Sequence, residues 1–138
     1  MTAYIFDTDH LSLYGRNHLS IVTRLGTTQT QLITTVINAE EQLRGRLAQV
    51  AATNDEAKEI TAYQWLTETI TFLSQFQILP YDITAQAIYR SLKAQRIRVG
   101  SQDLRIASIA LANKGILLTR NLRDFEKVPG LLVQDWSV

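Results

Sequence analysis

The sequence predicts an α/β protein: a three-layer α/β/α sandwich around a central parallel sheet of about five strands. The first observation behind this is a series of short apolar segments, 4–6, 32–36, 76–79, 116–119 and 131–133, each too short for a buried helix and rich in β-branched or aromatic residues. The second is what separates them. Stretches with helical spacing fill 37–51, 55–74, 84–97 and 102–113, and strands alternating with helices imply parallel pairing through right-handed crossovers. The third is continuity: no Pro/Gly/Ser-rich linker, repeat or low-complexity tract interrupts the chain, so residues 1–138 are expected to form one domain.

Taken in order, 4–6 (YIF) leads directly into Asp7 and Asp9, and the following HLSLYG has a short helical look. The segment 32–36 runs into a helix that begins INAEEQLRG. Pro80 follows 76–79 and Pro129 precedes 131–133, each marking the boundary of an apolar run. The best-marked helix is SQDLRIASIALANKG: Ser101 is the expected N-cap, Asp103 lies in the first turn where the helix dipole favours a carboxylate, and Gly115 is placed to close the C-terminus. Its apolar positions cover more than one face, so it should pack closely on the sheet.

Composition narrows the function. With no Cys, disulfides, Cys-ligated zinc and a thiol nucleophile are excluded together. Hydrophobic residues at 46% and charged residues at 20% are ordinary for a globular protein, and the formal net charge of +1 gives no global pull towards nucleic acid. Neither a signal-peptide pattern nor an apolar run long enough to span a membrane is present, and a cytoplasmic location without membrane contact is expected.

The acidic residues carry the chemistry. Asp7 ends the first strand, Glu40 and Glu41 follow the second, Asp103 opens a helix, and Asp124 follows the fourth strand. In a parallel sheet, ligands bind beyond the carboxyl ends of the strands, so these distant positions can converge on one rim. Taken one at a time, Asp7 or Asp9 is as well read as a helix cap, Glu40 or Glu41 as a solvated first-turn charge, Asp103 as a dipole-favoured one and Asp124 as a loop cap. Gathered together, carboxylates repel and raise one another's pKa, an arrangement that suits a hard divalent cation, Mg²⁺ or Mn²⁺.

YIFDTD, TTVINAEEQLRG, ILPYD and the long C-terminal run VGSQDLRIASIALANKGILLTRNLRDFEKVPGLLVQDW together resemble the PIN-domain ribonucleases of the VapC type, the toxins of type II toxin–antitoxin pairs. The resemblance implies a PIN-like fold and an endoribonuclease that uses Mg²⁺ or Mn²⁺. It implies a catalytic and metal-holding set of Asp7, Glu41, Asp103 and Asp124; Glu41 is selected over Glu40 because the family's second acid stands four residues before a glycine, here Gly45. Thr119 and Asn121 would support the site, and Asp9, where many relatives have Asn, is expected to cap the first helix. A homodimer and a small cognate antitoxin are implied as partners, with operon DNA reached only through the antitoxin. The rivals are a PIN-fold RNA-processing or flap-type nuclease and a catalytically silent RNA-binding module.

Arg44, Arg46, Arg120 and Arg123 flank the acids, and of these Arg44, Arg120 and Arg123 are the expected RNA-binding residues. Arg90, Lys93, Arg96 and Arg98 are expected on one helical stretch, as ready to be a solvated face as an RNA contact. Trp65, Tyr63 and Tyr89 could stack on bases, although such aromatics more often belong to a core or dimer interface. His10 and His18 fall outside the acidic motifs and are expected to be exposed or helix-packed rather than catalytic.

Overall fold

The computed structural model describes residues 2–138. Strands β1 (Tyr4–Phe6), β2 (Ile33–Thr35), β3 (Gln77–Leu79), β4 (Ile116–Leu118) and β5 (Leu132–Gln134) form one sheet of five strands in the order β3-β2-β1-β4-β5. Every pairing is parallel. All five fall on the expected apolar segments, and the three-layer α/β/α architecture is the one expected.

Alternation along the strands feeds both layers. Ile5, Ile33 and Leu117 join one core with Leu92 of α5 (Ile83–Ala94) and Leu104, Ala107 and Ala110 of α6 (Ser101–Ala112). Phe6 and Leu118 join the other core. There they meet Leu11 of α1 (Thr8–Gly15), Ile21 of α2 (Leu19–Thr28), Ala39 of α3 (Val36–Ala51) and Leu73 of α4 (Glu56–Leu73). A last short helix, α7 (Leu122–Phe125), links β4 to β5 and inserts the fully buried Phe125.

Three local expectations are corrected. Ser101 is the first helical residue rather than the cap; Gly100 holds that place, with no side-chain bond to the turn. At the other end of α6 the left-handed residue is Lys114, with φ 52°, and not Gly115. Gly115 is needed for a different reason, close approach: a Cβ there would stand 2.5 Å from Ile5 Cδ1 and 3.1 Å from the Ala3 carbonyl oxygen. Finally α5 ends at Ala94 and Arg96 adopts φ 56°, so Arg96 and Arg98 leave the helix that carries Arg90 and Lys93. Among the described residues no helix is long and apolar enough to cross a membrane.

Candidate active site at the carboxyl edge of the sheet

Parallel strands bring their carboxyl ends to one edge, and the polar residues immediately after those ends form the floor of the site. Asp7 follows β1, is buried, and takes the N-cap position of α1 without using its side chain as a cap. Its Oδ1 accepts from Asn38 Nδ2 at 2.8 Å, and its Oδ2 accepts from Thr119 Oγ1 at 2.8 Å. Asn38 is held in turn by Thr35, the last residue of β2. Thr35 Oγ1 accepts from the Asn38 backbone N–H at 3.2 Å, capping α3, and donates to Asn38 Oδ1 at 2.6 Å. Thr34, Thr35, Asn38 and Thr119 are all fully buried, and each has found a partner, since Thr34 Oγ1 donates to the Phe6 carbonyl at 2.7 Å. A floor of satisfied polar groups at this depth is rigid, because a lost partner would leave a costly orphan.

Above this floor stand the other acids. Glu41 Oε2 accepts from Thr8 Oγ1 at 2.6 Å, and Asn38 Nδ2 reaches the same hydroxyl at 3.0 Å, which ties the first turn of α3 to the start of α1. Glu40 turns away: its Oε2 pairs with Arg44 at 2.6 Å and its Oε1 accepts from Gln102 at 3.0 Å. Successive helical residues differ by ~100° around the axis, so only one of the two glutamates can face the rim. Asp124, in α7, accepts from Asn121 Nδ2 at 3.2 Å and from Lys127 Nζ at 3.3 Å.

The electrostatics record which acids share the space. Burial pushes the Asp7 carboxyl above its ordinary range, partly offset by hydrogen bonds from the Thr8 backbone, Thr119 and Asn38. Asp103, in the first turn of α6, is pushed up to about 6, first by burial and then by the negative charges of Asp7, Glu41, Asp124 and Asp9. Four acids distant in sequence thus act on one carboxyl. Asp124 goes the other way, held down by Asn121 and Lys127.

The structure therefore brings Asp7, Glu41, Asp103 and Asp124 to one rim, with Thr119 beneath Asp7 and Asn121 beside Asp124. It does not draw them tight: among the described residues no three His, Cys, Asp or Glu side chains form a group that could hold an ion as they stand. The oxygens are engaged instead by Asn38, Thr119, Thr8 and Asn121.

Asp9 corrects an expectation. It does not cap α1; its Oδ2 accepts from the Arg120 backbone N–H at 3.0 Å, and its Oδ1 accepts from His10 Nδ1 at 2.5 Å. His10 is fully buried, and its Nε2 accepts from the Trp136 backbone N–H at 3.0 Å, so the ring proton sits on Nδ1. The pair pins the β4–α7 loop, which carries Thr119 and Asn121 and leads into Asp124 of α7, to α1 and the C-terminal segment. Of the expected RNA contacts, Arg120 and Arg123 are exposed beside this loop, whereas Arg44 is neutralised by Glu40. Sequence reasoning missed Thr8, Asn38 and the His10–Trp136 link. Only Thr35 at a helix start followed three residues later by a polar Asn could have drawn notice to Asn38.

No family model matches the chain. The tRNA(fMet)-specific endonuclease VapC of Salmonella typhimurium is 35% identical over 69 residues, which are 47% of this chain and 52% of that protein. The chain thus spans about half the length of that relative, and the same holds for ribonuclease VapC2 of Rickettsia felis, 30% identical over 70 residues and 52% of its length. Ribonuclease VapC1 of Haemophilus influenzae aligns over 97% of this chain and 98% of its own length at 26% identity. Among solved structures, DNA-bound VapBC from Salmonella typhimurium superposes with a TM-score of 0.78 at 24% identity, covering 99% of each chain. VapBC-1 from nontypeable Haemophilus influenzae gives the same TM-score of 0.78 at 22% identity, over 99% of this chain and 100% of that one. The five-stranded parallel sheet thus has the fold of these solved structures, and in sequence the chain is similar to ribonucleases named VapC.

Proposed function

We propose that this chain is a divalent-metal-dependent endoribonuclease, the toxin of a type II toxin–antitoxin pair. The observation that carries the reading is Asp103: it is half-buried, and Asp7, Glu41, Asp124 and Asp9 all push its pKa up across the same rim. That donor set fits Mg²⁺ or Mn²⁺, being made of hard carboxylate oxygens whose mutual repulsion a cation would relieve. Asp7, Glu41, Asp103 and Asp124 would hold the ion, directly or through water. When bound, the ion supplies the positive charge that activates water and offsets charge on the phosphodiester.

The chain's own residues do the rest. Asn38 and Thr119 fix both oxygens of Asp7, so the most buried acid enters with one orientation. Thr8 keeps Glu41 on the rim, and Asn121 orients Asp124. Metal-activated water makes a side-chain nucleophile unnecessary in this reading. His10 is spent on Asp9 and Trp136, which removes it as a general base. Arg120 and Arg123 supply exposed positive charge for the RNA backbone.

The partners follow from the same reading: a homodimer, and a small antitoxin that covers the rim with an Arg or Lys whose charge takes the cation's place. Operon DNA would be bound by the antitoxin rather than by this chain. Relatives named as tRNA(fMet)-specific endonucleases make that tRNA the first substrate to try. Expression of this chain alone is expected to arrest growth, and Asp7→Asn or Asp103→Asn to relieve the arrest at equal protein level. Harmless expression of folded wild-type chain would overturn the toxin reading and favour a processing nuclease.

A further inference from the structure

Among the described residues no carboxylate pairs with Arg46, yet it is fixed. Its Nε donates to Thr69 Oγ1 at 2.9 Å, its Nη1 donates to Gln49 Oε1 at 3.0 Å, and its guanidinium lies over the Trp65 ring at 5.6 Å from the centroid. These uncharged partners hold the group and leave its charge unneutralised. This is the reverse of Arg44, two residues earlier, whose charge goes to Glu40 at 2.6 Å.

Arg46 also occupies a telling place. It lines a groove of about 260 Å³ together with Thr8 and Glu41, and a second of about 480 Å³ that continues between α1, α3 and α4 past Arg16. Gln42 and Arg46 belong to both, so the two form one path leading away from the rim. Between Glu41 and Arg46, Gly45 lies in mid-helix, and a Cβ there would meet nothing within 4 Å. Packing does not ask for this glycine, which weakens the helix. What its missing side chain does is keep the path open.

We infer that Arg46, at the mouth of the groove kept open by Gly45, binds a backbone phosphate of the RNA strand next to the carboxylate rim. The inference rests on the ribonuclease reading and replaces Arg44 with Arg46 as the phosphate contact of α3. A guanidinium already held by neutral partners loses little freedom on meeting a phosphate. Glu68, which lines the second groove together with Arg46, opposes an anion and so offers a variant of opposite sign.

The test uses the full chain carrying Asp7→Asn, to stop cleavage, and a short fluorescent single-stranded RNA titrated at several salt concentrations. Arg46→Gln should weaken binding about tenfold and lower the slope of log affinity against log salt by about 0.7, one phosphate contact on a single strand. Gly45→Leu should weaken binding while raising the melting temperature, opposite signs that a folding defect would not give. Glu68→Gln should tighten binding. Lys114→Gln, at the opposite edge of the sheet, serves as the charge control and should do little. RNA binding by the parent with affinity and slope unchanged in Arg46→Gln, or with Gly45→Leu binding as well as the parent, overturns the inference and leaves the ribonuclease reading intact. A parent that binds no RNA overturns both.

Discussion

β1 and β4 lie side by side, and their two ends are built from opposite materials. At the amino ends Gly115 is pressed on Ile5 and the Ala3 carbonyl, hydrocarbon and backbone with no room for a methyl group. At the carboxyl ends the same two strands give way to Asp7 and Thr119, bonded to each other, with Asn38 bonded to Asp7, in a buried polar floor. One end spends the sheet's rigidity on packing and the other spends it on aiming carboxylates. Substitutions at the two ends should therefore separate stability from activity.

The largest expected effect is at the carboxyl end. Asp7→Asn should cut RNA cleavage on the order of 10²-fold or more, while the melting temperature stays level or rises, because an unfavourably buried carboxylate is gone. A large fall in melting temperature would make Asp7 a structural residue and erase the contrast. Gly115→Val is the mirror experiment. Overpacking against Ile5 should cost about 1–3 kcal/mol in denaturant unfolding, with cleavage per folded molecule preserved.

Asn38 should belong to both classes. Asn38→Ala takes one hydrogen-bond partner each from Thr35, Thr8 and Asp7 Oδ1, so it should lose about 1–3 kcal/mol and much of the activity together. The neighbouring glutamates offer a finer cut: Glu41→Gln should impair cleavage strongly and Glu40→Gln only mildly. Equal losses would show that the exposed pair with Arg44 matters as much as the rim.

The smallest effect is a pH dependence. Asp103 has a folded pKa of about 6 against an ordinary 3.8, so the folded state binds its proton more tightly than the unfolded state does. Its contribution lowers stability as pH rises from 3.8 to about 6 and is constant above that. Melting temperatures across this window should fall less steeply in Asp103→Asn. Mg²⁺ should stabilise the wild-type chain more at neutral than at acid pH, since protons and cation compete for the same oxygens.

How much of this was legible in the sequence follows from the range of the forces involved. The strands were readable almost to the residue, because short apolar runs between helical stretches encode both core layers locally. The convergence of Asp7, Glu41, Asp103 and Asp124 was readable too, since a parallel sheet sends the residues after its strands, and the start of a helix that leads back into the next strand, to one edge. The true end of α5 was not: nothing in RSLKAQRIR announces that Arg96 turns left-handed. Asn38, Thr8 and His10 were missed for a related reason. Their roles depend on partners 30 or more positions away, as in Asn38 with Asp7 and His10 with Trp136. Asp9 was misread because a cap is the local use of an aspartate after a strand, and the Arg120 backbone N–H that it accepts from instead comes from 111 residues on.

The most direct measurement is cleavage of a defined RNA by the purified chain in excess chelator, followed by addition of Mg²⁺ or Mn²⁺. Cleavage should vanish with chelation, return with either ion, and fail to return in Asp7→Asn or Asp103→Asn. Cutting that proceeds equally well in chelator, or that survives in both variants, would contradict the assignment of the carboxylate rim as the catalytic site.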